Sequence, residues 1–471
     1  MENKGKIIFG SCILILIVSV LSLIFKTYTF SLTVLSLIQL VAIVVFMKIK
    51  LKMKFLSAAN IFLLFSYIFH VGQYFLFMFK LTADIPFNIV SLSSYLEMAK
   101  ALQFYILCQN SIFLGIVIVC LYFPTKKLLS CKALILDDQK NILKIAVILI
   151  LLGIFPKLYI DISKLKLFLD GGYLNTYAFK SFGFLNVIAH FVEYGILILL
   201  YYFSKNKKMS LLLLVAGIML EIPIILSGNR GWAIICILMY LWLFFKNIIV
   251  FKFNIKSIFN VVLILIVLWF LLSIVNFISD NRSFTFDSIK DLLKLYVPYM
   301  KKFPLTDILG EFGGTMISLI YIMRFVPVVS PHGCGVGYVA GLLNVFPNIG
   351  GFLSNFREEM VFVYALPPEV SFSLGGSYIG ELYYNFGYFS IFFALILGIV
   401  IGIIFNLLQQ MEEENKSLVF PVCICIFATL LWWIRDYFSG IIREIVWVSI
   451  FIIIVNLILK WKGRNKFNEK S

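Results

Sequence analysis

Charge is scarce in this chain. Asp, Glu, Lys and Arg make up 14% of its 471 residues, against roughly 25% in an ordinary soluble domain, and that shortage excludes a water-soluble globule. Histidine occurs three times, a thin supply for a histidine-based metal centre. The twelve prolines and 29 glycines follow no collagen period, and no low-complexity tract marks a disordered chain. Eight cysteines over such a length are not a disulfide framework. Cys12, Cys108, Cys120, Cys236, Cys423 and Cys425 fall in apolar spans, Cys131 on the cytoplasmic side, and Cys334 in an outer loop. Cys423 and Cys425, two apart on a helix, point to different faces and make a poor metal pair, so the cysteines read as small packing residues. The glycine-rich run GCGVGYVAG has neither the Walker A nor the GxGxxG spacing, which leaves nucleotide binding unsupported.

Apolar residues fill the space that charge leaves: 62% of the chain is hydrophobic and 17% aromatic. The fold class is therefore all-α, a polytopic membrane protein of about 12 transmembrane helices at roughly 20 residues each. The apolar runs predict spans at 7–25, 27–47, 55–79, 103–123, 142–160, 184–203, 210–227, 232–250, 257–278, 378–408, 418–434 and 441–459. The net charge of +16 follows from topology and not from nucleic acid, since no recognition motif accompanies it. Lys4 and Lys6, Lys48 to Lys54, Lys126 to Lys140, Lys205 to Lys208, Lys252 and Lys256, and the tail from Lys460 to Lys470 all fall on one side with twelve spans. That places both termini in the cytoplasm, and the first span reads as a retained helix, longer than a signal h-region.

Three regions follow: residues 1–278 with nine spans, a 99-residue extracytoplasmic loop at 279–377, and residues 378–471 with three spans. The loop opens on SDNRSFTFDSIKDLLKLYVPYMKKF, suited to a surface helix. Next comes GGTMISLIYIMRFVPVV, apolar but broken by Arg324 and Pro327, which reads as a partly inserted segment and not a thirteenth crossing. PHGCGVGYVAG and FPNIGG then supply irregular backbone, tolerated at membrane depth only against protein or a wet cavity.

Arginine is distributed against the lysines. Of 33 Lys, 22 lie on or near the cytoplasmic face, whereas Arg230, Arg282, Arg324, Arg357, Arg435 and Arg443 lie outside and only Arg464 inside. Guanidinium is planar and grips phosphate bidentately, so the outer face has the character of a polyanion site. Arg230, in the turn LSGNRGW just before a helix, combines its charge with a helix N-terminus, although a lone arginine there also suits a lipid headgroup. Arg435 and Arg443 flank the hinge of WWIRDYFSGIIREIVW, each followed by an acid, Asp436 and Glu444; they are either local ion pairs or two arms of a clamp.

Proton-transfer candidates are His332, Glu311, Glu369, Glu381 and Asp436. Glu381, in GGSYIGELYYNFGY, stands out because a carboxylate at a span's start is costly unless paired. Around it Tyr378, Tyr383, Tyr384 and Asn385 offer either sugar-stacking rings and amide partners or an ordinary aromatic belt. Glu193 and Glu221 lie inside spans, as interhelical hydrogen-bonding groups or as parts of a transport path.

SGNRGWAIICILMYL after a span, a large late loop, and SYIGELYYNFGYFSIFFALILG opening the next span resemble the O-antigen polymerases of the Wzy type. The resemblance implies an inner-membrane glycosyltransferase that moves a growing glycan, on the periplasmic side, from undecaprenyl pyrophosphate onto the next lipid-linked repeat unit. It implies no cofactor and no metal. The partners implied are undecaprenyl-pyrophosphate-linked glycans, the lipid bilayer and a chain-length-regulating membrane protein. In that reaction Arg230, Arg282, Arg435 and Arg443 would stabilise the leaving pyrophosphate, Arg324 or Arg357 would place the second carrier, and Glu381 or His332 would take the proton. Tyr378, Tyr384 and Asn385 would contact sugar. A ligase acting on a lipid A core and a flippase, with Glu193 and Glu221 as its support, are the alternatives.

Overall fold

The structure, a computed structural model, describes residues 2–82, 87–123, 140–179, 183–248, 305–348, 360–371, 374–410 and 419–468, with a few single positions between. The described residues are helical and contain no strand. In chain order they form α1 (Glu2–Ile24), α2 (Thr29–Lys50), α3 (Ala58–Met78), the single turn α4 (Ile89–Leu92) and α5 (Tyr95–Tyr122). Next are α6 (Lys140–Gly171), α7 (Gly183–Ala189), α8 (Phe191–Tyr202), α9 (Lys207–Leu226) and α10 (Gly231–Ile248). The later part adds α11 (Leu305–Gly313), α12 (Thr315–Phe325), α13 (Val336–Leu343), α14 (Tyr378–Phe386), α15 (Ser390–Gln410), α16 (Val419–Trp433) and α17 (Phe438–Asn468).

Every expected span except 257–278 coincides with a helix, and 257–278 lies outside the described residues. Among the described residues ten helical stretches have the length and apolarity of a crossing, and Gly231–Lys246 and Val419–Trp433 are shorter apolar helices. The fifth span is longer than the hydropathy suggested, since α6 continues to Gly171.

The chain forms two compact units, neither contiguous in sequence: Met1–Ile135 with Leu309–Val446, and Leu136–Ile308 with Trp447–Ser471. Much of the expected outer loop therefore belongs to the first unit. In that unit α5 and α15 lie backbone against backbone. A Cβ on Gly115 would come within 2.5 Å of the Leu395 carbonyl oxygen and 2.6 Å of the Gly398 carbonyl carbon, and one on Gly402 within 3.1 Å of Ile116 Cα. Small residues permit such approach, and dispersion between the backbones drives it where no hydrophobic effect is available in lipid. Phe104 meets Tyr388 and Ile116 meets Gly402, so the two helices run in the same direction.

Thr306–Phe325 has the apolarity of a span and is divided into α11 and α12, which contact α3 and α5. Near its start Gln73 Nε2, five residues before the end of α3, donates to the Gly310 carbonyl at 2.6 Å, and Phe312 stacks at 4.9 Å on Phe69, midway along α3. At its finish Arg324 grips Glu97 in the first turn of α5 at 2.6 and 2.9 Å. Only residues 79–94 join α3 to α5, so those two anchor points share an end. Gly310 and Arg324 thus sit beside the ends of α3 and α5 that residues 79–94 join.

The second unit is assembled around α6. Gly153 lets α8 approach until a Cβ would lie 2.9 Å from the Val192 nitrogen, and Gly195 brings α8 to within 2.8 Å of the Ala146 carbonyl on the same measure. Gly217 on α9 accommodates the Tyr240 ring of α10.

Candidate functional site

Two stretches of non-helical backbone in the first unit are recessed along α3. Residues 374–377 have no regular structure, yet Ser377 Oγ bonds His70 Nε2 at 2.9 Å and Tyr378 hydroxyl bonds Ser66 Oγ at 2.7 Å. The 434–437 turn between α16 and α17 sits at a similar level, with the Arg435 guanidinium 5.7 Å over the Phe69 ring. Ser66 to His70 precede the end of α3 by eight to twelve residues, about 12–18 Å at 1.5 Å per residue. Irregular backbone at that depth must be walled by protein or line a wet cavity. The wall is visible: Ser318 Oγ donates to the Gly375 carbonyl at 2.8 Å, and a Cβ on Gly376 would lie 2.7 Å from Asp436 Cα.

Glu381 fastens this floor. Its carboxylate, 2% exposed, accepts from Trp433 Nε1 at 3.0 Å and from the Phe438 backbone N–H at 3.1 and 3.2 Å. It thus caps the N-terminus of α17, where unpaired amides and the helix dipole favour negative charge. Asp436 Oδ1 accepts from the Tyr437 N–H at 2.8 Å. Burial pushes the Asp436 carboxyl up to about 6, opposed by the Tyr437 amide, the Trp432 side chain and Arg435 and reinforced by Glu444. The Arg435 guanidinium lies over the rings of Phe69 and Trp432, and among the described residues no carboxylate is in salt-bridge contact with it. Arg443 is committed elsewhere: its Nε donates to the Asn344 carbonyl at 2.6 Å and its Nη2 to the Asn344 side-chain oxygen. Asn344 in turn donates to the Ser439 carbonyl at 2.6 Å, which ties the end of α13 to the hinge.

The family model for the O-antigen polysaccharide polymerase Wzy matches residues 7–466. The chain belongs to that family. No curated protein and no solved structure matches it. Membership makes this a multi-pass membrane protein of polysaccharide biosynthesis, a glycosyltransferase-type polymerase that joins lipid-linked repeat units.

The polymerase distributes its other expected site residues unevenly. His332 lies at the C-terminal end of α14, with Nδ1 3.2 Å from the Tyr384 carbonyl and its ring edge-on to Tyr383. Tyr384 is partly exposed and lies parallel to Phe362, whereas Tyr378 is wholly buried with its hydroxyl shared between Ser66 and Gln109. Tyr378 thus presents no face to a sugar. Asn385 is also internal, accepting from the Gly337 N–H and donating to the Glu381 carbonyl. Arg324 is held by Glu97 and by the Leu92 carbonyl. Arg230 is 4% exposed and belongs to the second unit, in the turn where Gly228 has φ +81° against the Tyr173 ring. Arg282 and Arg357 lie outside the described residues.

Two features of the polymerase escaped the sequence reading. One is the buried polar network of α3, α5 and α14: Ser66, His70, Tyr105, Gln109, Ser377 and Tyr378. Its signal is spacing, since Ser66 and His70, like Tyr105 and Gln109, are four apart and share a helix face inside apolar runs. The other is Lys157, buried among acids in the second unit. Among the described residues no three His, Cys, Asp or Glu side chains are placed to hold a metal ion.

Proposed function

We propose that the recessed hinge of the first unit holds the pyrophosphate of a polyprenyl-linked donor, and that it opens to the periplasm of the bacterial inner membrane. Arg435 carries this reading. A guanidinium shelved on two aromatic faces, with no carboxylate against it among the described residues, keeps its donor fork for a ligand. The surroundings of the guanidinium suit a phosphate: the ring-lined, recessed position lowers the local dielectric and strengthens charge contacts.

In the transfer, an acceptor sugar hydroxyl attacks the anomeric carbon of the growing chain. The new glycosidic C–O bond forms, and the bond from that carbon to the pyrophosphate oxygen breaks. Negative charge grows on the leaving pyrophosphate beside Arg435, and the hydroxyl proton passes to Asp436, whose carboxyl titrates close enough to neutrality to be ionised at work. Glu381 and Arg443 hold the hinge in place, and Tyr384 offers a partly exposed ring for a sugar. Charge supports this orientation: Lys48, Lys50, Lys52 and Lys54 precede the start of α3, so its far end, joined to α5 by residues 79–94, takes the periplasmic side, and the hinge is recessed midway along the helix.

Arg435→Lys keeps the charge and loses the bidentate fork. Removal of such a transition-state contact costs about a hundredfold in rate, so a strain carrying this variant at normal abundance should show a single capped repeat in place of a glycan ladder on electrophoresis. A full ladder from Arg435→Lys would remove Arg435 from the reaction.

A further inference from the structure

Three helices of the second unit bring four ionisable side chains into one buried cluster. Lys157 Nζ on α6 lies 2.8 Å from Glu193 Oε1 on α8, 3.0 Å from Glu221 Oε2 on α9 and 3.2 Å from Asp161 Oδ2 one turn along α6. The four side chains are 8% exposed or less. Around them, Tyr240 of α10 donates to Glu221 Oε1 at 3.5 Å with Cys236 behind it, while His190 and Lys164 act on Asp161 from further away. Three carboxyl groups thus face two ammonium groups, Lys157 and Lys164, with His190 the remaining titratable neighbour. Glu193 Oε2 and Asp161 Oδ2 are buried with no hydrogen-bond partner, although each carboxylate reaches the ammonium.

Uncompensated charge in a dry interior costs several kcal/mol per ion. Carboxylates that share one site relieve that cost by taking up a proton between them. A metal cation is the poorer fit, because the ammonium already occupies the point on which the acids converge. We propose that this cluster is a proton-binding site in which the three acids converging on the Lys157 ammonium hold one exchangeable proton among them. The site is independent of the reading given to the unit 1 hinge. It lies under the turn that carries Arg230, since His190, three residues before Glu193, stacks at 4.7 Å on Trp232, two residues after Arg230. Gain or loss of the proton changes the charge beneath that turn by one.

Infrared difference spectroscopy on the purified full-length protein in lipid nanodiscs tests this, with no need for polymerase turnover. Wild-type minus Glu193→Gln/Glu221→Gln should contain the carbonyl band of a protonated, deuterium-exchangeable carboxyl at neutral pH. Should the double variant not fold, the isosteric Glu193→Gln alone should shift or weaken the same band. The absence of any protonated-carboxyl component from these differences overturns the proposal. So does a band that sodium erases at constant pH, which would assign the cluster to a metal cation.

Discussion

Asp436 is placed where stability and chemistry pull against each other. Burial raises its carboxyl from 3.8 to about 6, so the folded hinge binds a proton more tightly than the unfolded chain does. The stability linked to this group is full below about pH 4 and is lost as pH rises through about 6. A shift of that size corresponds to at most about 3 kcal/mol. Base catalysis requires the opposite state, the ionised one, so turnover should climb over the same interval in which the hinge weakens. Asp436→Asn should flatten the fall in thermal stability between pH 4 and pH 6 and abolish the glycan ladder. A variant with the wild-type pH profile of melting would mean that Asp436 does not titrate in this window. Glu381 contrasts with it: both oxygens receive N–H donors, so its first task is to hold the hinge, and removal of the carboxylate would orphan a buried indole and a helix-terminal amide.

At the scale of elements, the sequence displayed the apolar runs and hid their contacts. Hydropathy located α1 to α3 and the later spans because a helix in lipid must be apolar along its length. It also flagged Glu381, because a carboxylate in such a run demands a partner. What it could not reveal is who the partner is. Arg324 and Glu97 are 227 residues apart and Arg443 and Asn344 are 99 apart, so an expected row of outer arginines proves, among the described residues, to include two that clamp the fold. Lys157 was hidden for a different reason: it is one of five lysines in a 32-residue helix, and an average over that helix does not tell a buried one from the rest. The α5–α15 seam is a further case, legible only as scattered glycines. Gly115→Leu would drive a side chain into the Leu395 carbonyl and the Gly398 backbone, neither of which can rotate away. Overpacking costs about 1–3 kcal/mol, and against rigid backbone the upper end applies, so detergent-solubilised Gly115→Leu should lose its monodisperse peak in size exclusion. A variant that melts like wild type would show that the two helices separate freely.

For the whole molecule, the decisive question is parity. If Thr306–Phe325 crossed the membrane, everything after it would change sides: the hinge would face the cytoplasm and the cationic tail of Lys460, Lys462, Arg464, Lys466 and Lys470 would be translocated, against the bias that retains cations inside. The contacts of its two ends argue for a return to the starting side, because Gly310 is held by Gln73 near the finish of α3 and Arg324 by Glu97 near the start of α5. Exposed positions beyond each anchor give the test. Cys334, in the loop after α12, and Phe87, in the connection between α3 and α5, are both exposed. In a protein retaining Cys334 as its one thiol, and in a second with only Phe87→Cys, a membrane-impermeant thiol reagent applied from the periplasmic side should label both. Labelling of Phe87→Cys with Cys334 protected until the membrane is opened would make the segment a true crossing, and would place Arg435 and Asp436 on the side from which lipid-linked repeat units are exported.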